Sequence, residues 1–229
     1  MAAPRLYYRG CCPVPVSKGK RSKGTWGGSR NRADRVSFHL TEKQCRDMIF
    51  AMLLAEHLGM PFNRFITIGW HDGGVADRDV VKATGQFITM VRVWLKSQGA
   101  KCVWAWVQEH GRVKGAHVHI LLHVPPDLAP LFSRLPMRWV KRLLPGGYVK
   151  GVMDTKRSPE PGKAYWGHWG DPEGWRRRRV QYVLKCAPQA LKAKLGATDW
   201  GPDIWGQSGR VYGKRMGIWQ HGQKYLPAD

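Results

Sequence analysis

Two runs of β-forming residues around a short glycine-bearing turn constrain this chain more than anything else in it. They are KCVWAWVQE at 101–109 and AHVHILLHV at 116–124, joined through HGRVKG. Val, Ile and Trp crowd a helix and fit a pleated surface, and a short Gly-containing link between such runs predicts an antiparallel hairpin. Side chains alternate faces along a strand, so His117 and His119 project together while Val118, Ile120 and Leu122 project to the other side. If Glu109 pairs directly opposite His117, its carboxylate shares the face of both imidazoles. A slip of one residue would present Gln108 instead.

His-x-His alone is weak evidence, since nine histidines in 229 positions give about 0.35 such pairs by chance. Its position within a strand, eight residues after a carboxylate, makes it a candidate ion site. Two imidazoles and an acid form a facial set with open positions for substrate oxygen and water. Mixed N/O ligation suits Mn²⁺ well and Mg²⁺ acceptably; zinc is the remaining option, in a catalytic and not a structural role because no cysteine joins the set. His123 lies on the same face four residues past His119, about 13 Å along the strand, and is read as a rim residue.

Around the hairpin the chain alternates elements. Thr41 and Gln44 form a capping box ahead of a helix over about 42–58, stopped by Gly59 and Pro61. RFITIGW at 64–70 predicts a strand, 79–98 an amphipathic helix, and 127–143 a helix that Pro136 would kink or split. YVKGVMD at 148–154 predicts a fourth strand, 155–175 a loop, and 176–187 a third long helix ended by Pro188. This order predicts an α+β fold, an antiparallel sheet of about five strands with helices on one face and the other face free for a substrate. The expected division is a flexible basic arm at 1–35, one domain at 36–190, and a basic, Trp- and Gly-rich tail at 191–229.

Tyr182 and Lys185 lie three apart on the last predicted helix and therefore share a face. A phenol attacks poorly while protonated; a nearby ammonium and an ion-bound phosphate would both favour the phenolate. Read alone, YxxK is more often an amphipathic helix edge than a nucleophile. Tyr165 is a weaker rival, since it has no lysine at helical spacing.

Taken together, VQEHGRVKGAHVHILLHV, YVLK downstream of it and FITIGW upstream resemble the motifs of HUH endonucleases, the initiators of rolling-circle replication. The resemblance covers about residues 63–190. It implies a ferredoxin-like or RRM-like sheet, with His117 and His119 as metal ligands, Glu109 as the third, Tyr182 as nucleophile and Lys185 as its helper. A single tyrosine motif fits the single-tyrosine subtype. The implied activity is site-specific nicking of single-stranded DNA, or of a DNA hairpin at a replication origin, through a 5′-phosphotyrosine. Host helicase and polymerase would then act in trans.

The charge agrees with that partner. Lys and Arg number 38 against 16 Asp and Glu, a formal net of +22, and such a field attracts polyanions. Arg176, Arg177, Arg178 and Arg179 precede Tyr182 and are candidates for flanking phosphates. Trp166 and Trp169, with Tyr165 and Trp175 nearby, are candidates for base stacking. Five cysteines form no CxxC pair, which argues against a zinc knuckle and a secreted disulfide framework. There is no apolar h-region at the N-terminus and no membrane-length apolar run, so a cytoplasmic location is expected. The alternatives are an HUH transposase or mobilisation relaxase with the same chemistry, a non-catalytic RRM-like nucleic-acid-binding module, and, more weakly, a ribosome-associated basic protein that would leave the His pair unexplained.

Overall fold

The computed structural model describes residues 35–159, 164–165, 168–169, 171–195 and 209–219. In chain order the elements are β1 (Val36–Ser37), α1 (Glu42–His57), β2 (Arg64–Ile68), α2 (Val80–Ser97), β3 (Trp104–Gly111), β4 (Gly115–Leu122), α3 (Ala129–Phe132), α4 (Leu135–Leu143), β5 (Met153–Arg157), β6 (Ala164–Tyr165), β7 (His168–Trp169), α5 (Pro172–Val183), α6 (Gln189–Lys194), β8 (Val211–Tyr212) and β9 (Met216–Ile218). Five strands form one antiparallel sheet in the order β5-β2-β4-β3-β9, with two small pairs, β1-β8 and β6-β7, beside it. The α+β class and the five-stranded antiparallel sheet agree with the sequence reading.

The hairpin has the expected register: Glu109 pairs with His117 and Gln108 with Val118. At its turn, Gly115 has φ +54° and lies so close to the His71 ring that any side chain there would collide with it. The Thr41–Gln44 capping box is also present, with both reciprocal bonds made at the start of α1.

Helices cover both faces of the sheet, whereas the sequence reading placed them on one. Ile66, Ile68, Trp106, Val118, Ile120 and Leu122 pack under α2 and α4, led by Phe87, Val91, Leu95 and Trp139. Phe65, Ala105, Val107, Leu121 and Ile218 face the opposite way and pack under α1 and α5, against Met48, Leu54, Trp175, Val180 and Val183. All eight residues of β4 are consequently buried. The run Ile120-Leu121-Leu122 had carried this signal, because a strand covered on both faces loses its alternation.

Three further elements differ in their bounds. The fourth predicted strand is displaced to Met153–Arg157, because Gly147 and Gly151 adopt positive φ (82° and 97°) and turn the chain between 147 and 152. The predicted 127–143 helix is divided, and Pro136 sits in the first turn of α4, where its missing N–H costs nothing. The last long helix starts at Pro172, capped by Asp171, whose side chain accepts from the Gly174 N–H at 2.8 Å, and it ends at Val183. The outer strand β9 comes from the region that the sequence reading sets apart as a tail. Its preceding residue, Arg215, is buried and donates to Ser37 Oγ, to the Ser37 carbonyl and to the Gly209 carbonyl. No helix among the described residues is long and apolar enough to cross a membrane.

Candidate metal centre and tyrosine

Glu109, His117 and His119 converge on the α1/α5 face of the sheet, and each is at most 3% exposed. Their register explains the convergence. His117 faces Glu109 directly across the β3–β4 ladder, and His119 lies one pleat along β4, opposite Val107 on one side and Thr67 on the other. One carboxylate oxygen, Glu109 Oε2, is 3.1 Å from His117 Nε2 and 3.3 Å from His119 Nε2. Two atoms of the group, Glu109 Oε1 and His119 Nε2, are buried with no hydrogen-bond partner.

These atoms fit a divalent ion. Ligands about 2.1 Å from one ion stand roughly 3.0 Å apart at octahedral angles and about 3.4 Å apart at tetrahedral ones, which brackets the spacings found. The group is also the one set of three or more His, Cys, Asp or Glu among the described residues whose donor atoms all lie within 4.8 Å of one another. Glu109, His117 and His119 can therefore hold a divalent metal ion. Unpartnered buried polar atoms are costly unless something satisfies them, and an ion would satisfy both.

The imidazoles are oriented from behind. His117 Nδ1 is 2.9 Å from the Gly115 carbonyl, which can only accept, so Nδ1 carries the proton and Nε2 is the ligand atom. His119 Nδ1 is 2.9 Å from Thr67 Oγ1, so a proton donated to that hydroxyl likewise leaves Nε2 for the ion. Phe65 stacks on the His119 ring at a centroid distance of 5.2 Å and 16° between planes. Burial pushes the His119 imidazole down to about 4, against the pull of the Glu109 carboxylate beside it. Although burial works to raise it, the Glu109 carboxyl is held well below the usual carboxylate range by His119, His117 and Lys185. Thr67 and Phe65 were missed in the sequence, although FITIGW was recognised as a strand. Which of its residues face the histidines follows from the β2–β4 register, and no local pattern encodes that.

Tyr182 is brought to this group. It sits in the last turn of α5, with its ring 5.1 Å from the His119 ring and 5.9 Å from the Phe65 ring, both edge-to-face, and it remains 39% exposed. Lys185 lies beyond the helix, past the C-cap Leu184, and its N–H returns to the Tyr182 carbonyl at 3.3 Å. The spacing of three is therefore kept by a turn and not by a continued helix. Lys185 Nζ rests 3.5 Å over the centre of the Tyr182 ring and 2.9 Å from Glu109 Oε2.

The other candidates divide. Arg176 is committed to Glu56 across the α1–α5 contact at 2.8 Å, and Arg177 to Glu173 one turn away at 2.6 Å. Arg178 is exposed. Arg179 lies over the rings of Phe65 and Trp175, at 5.2 and 5.6 Å, which makes it the arginine of the four that shares a neighbour with Tyr182. Trp175 is 2% exposed within the core, so it is a packing residue and no surface for a base. Trp166 and the side chains of Tyr165 and Trp169 lie outside the described residues, as does the basic arm up to residue 34. His123 is 8% exposed and 2.8 Å from the Pro61 carbonyl through Nδ1; it braces the sheet and has no part in the ion group.

No family model, no curated protein and no solved structure matches this chain.

Proposed function

We propose that this chain is a divalent-metal-dependent endonuclease of the HUH type that nicks single-stranded DNA through Tyr182. One observation carries the reading: a tyrosine and a lysine remote in sequence from the hairpin lie against the His119 ring and the Glu109 carboxylate, respectively. A core tyrosine would be expected to bury its ring, whereas Tyr182 keeps more than a third of its surface open to solvent beside the ion group.

In the proposed reaction the Tyr182 phenolate attacks a backbone phosphorus in line, an O–P bond forms to the phenol oxygen, and the bond to the 3′-oxygen breaks. The products are a 5′-phosphotyrosine and a strand ending in a 3′-hydroxyl once that oxygen takes up a proton. Glu109, His117 and His119 would hold a divalent ion, with Mn²⁺ or Mg²⁺ as the expected choices, which would supply charge stabilisation to the reacting phosphate. Thr67 and the Gly115 carbonyl hold the imidazoles in register, and Phe65 packs against both the His119 and the Tyr182 rings. Arg178 and Arg179 are the members of the arginine run proposed to contact flanking phosphates. Because the ester conserves the energy of the cleaved bond, the same site can reseal the strand. This suits initiation of rolling-circle replication and equally transposition or mobilisation.

The test incubates the protein with Mn²⁺ and single-stranded DNA and resolves the products under denaturing conditions. A covalent adduct mapped to Tyr182 is expected, and Tyr182→Phe should abolish adduct and cleavage while leaving DNA affinity within about twofold. Cleavage that persists in Tyr182→Phe would overturn the assignment. DNA binding with no cleavage under any ion would favour a binding module instead.

A further inference from the structure

Lys185 has no obvious reason to touch Glu109 if its task is confined to the tyrosine. Its ammonium is nevertheless 2.9 Å from Glu109 Oε2, the same oxygen that both imidazoles approach, and the residue is 8% exposed. The contact lacks hydrogen-bond geometry, and Nζ is left with no hydrogen-bond partner. Glu109 is the carboxylate that opposes this charge among the described residues. Without an ion the pocket holds one negative and one positive side-chain charge. A divalent ion on the same carboxylate would leave two like charges crowded on one oxygen in a dry setting, where repulsion is barely screened.

We propose that Lys185 is an internal counter-ion that competes with the divalent metal for Glu109, so that metal binding and release of Lys185 toward a substrate phosphate are one linked event. The inference rests on the reading that the triad holds an ion, and it deepens that reading. Lys185 stabilises the metal-free pocket and weakens metal binding. An anionic phosphate, which can receive the displaced ammonium, restores it. Metal and single-stranded DNA should therefore bind with positive cooperativity.

The test measures Mn²⁺ affinity of the full chain by calorimetry, for the wild type and for Lys185→Met, with and without an uncleavable single-stranded oligonucleotide. Lys185→Met should bind Mn²⁺ about tenfold or more tightly than wild type. The oligonucleotide should tighten Mn²⁺ binding to wild type severalfold, and should do so less for the variant. Equal Mn²⁺ affinity in the two proteins overturns the competition while leaving the ion site intact. Absence of Mn²⁺ binding in both overturns the ion site and the competition together. Should Lys185→Met fold poorly, reductive methylation of wild type, mapped by mass spectrometry, provides a second measure. Lys185 should label slowly in chelator and several times faster with Mn²⁺, and an unchanged rate overturns the proposal.

Discussion

The two faces of the sheet solve different problems. The face under α2 and α4 is built almost wholly of apolar side chains, and its buried polar pair is internally matched, with the Trp70 indole N–H donating to the Thr84 hydroxyl at 3.0 Å. Gln108 is the exception, with a buried Oε1 that has no partner. The face under α1 and α5 begins in the same way, with Phe65, Val107 and Leu121, but at the hairpin end it buries a carboxylate, two imidazoles and an ammonium. Charges removed from water are costly even when paired, and apolar residues of similar volume are often as stable or more so. One face thus supplies stability that offsets the cost of the charged and imidazole groups buried on the other.

Five measurements test that contrast. Phe87→Ala, in the heart of the apolar face, should lower stability by about 3–5 kcal/mol in denaturant melts and leave Mn²⁺ affinity unchanged; a change in affinity would show that the faces are coupled. Glu109→Gln should abolish Mn²⁺ binding and also cost roughly 3 kcal/mol, because it strands the Lys185 ammonium. Combining Glu109→Leu with Lys185→Met should recover most of that stability with no recovery of ion binding, and a double variant no more stable than Glu109→Gln would refute the account of the buried charges. Thr67→Val removes the hydroxyl behind His119 and should weaken Mn²⁺ binding about 10- to 100-fold, with a smaller effect on folding. The gentlest probe is pH. The His119 imidazole titrates near 4 in the folded, ion-free protein and near its ordinary 6.5 once unfolded, so the unfolded chain takes up the proton first. Ion-free stability should be complete above about 6.5 and decline as pH falls from there to about 4. Depression of the Glu109 carboxyl extends the loss downward in the same direction. Stability that is flat across this window in chelator would contradict the burial described.

Much of the site was legible because it is written in short-range patterns. Strand alternation placed His117 and His119 together, the hairpin turn set Glu109 opposite His117, and a three-residue spacing linked Tyr182 to Lys185. The illegible parts depend on long-range pairing. Which sheet face receives α1 cannot be read from its amphipathic stripe, because both faces offer apolar partners. The outer strand β9 is three residues, MGI, too short to show alternation and set among glycines and basic residues. In α5 the start signal, Asp171 followed by Pro172, was present but obscured by the Gly- and Trp-rich stretch around it. The run of four arginines looks uniform in sequence, yet the neighbours supplied by α1 and β2 give its members different tasks.

The strand that carries Glu109 has neighbours made at very different times. Its inner partner, β4, follows at once across a tight turn, whereas its outer partner, β9, is among the last described residues to leave the ribosome. A nascent chain can thus assemble the histidine hairpin first but must keep one side of it unpaired until β9 is made, an exposed ladder that attracts other chains. Tyr182 too is translated after the hairpin, so the protein acquires the residues that can hold an ion before it acquires the proposed means to cut.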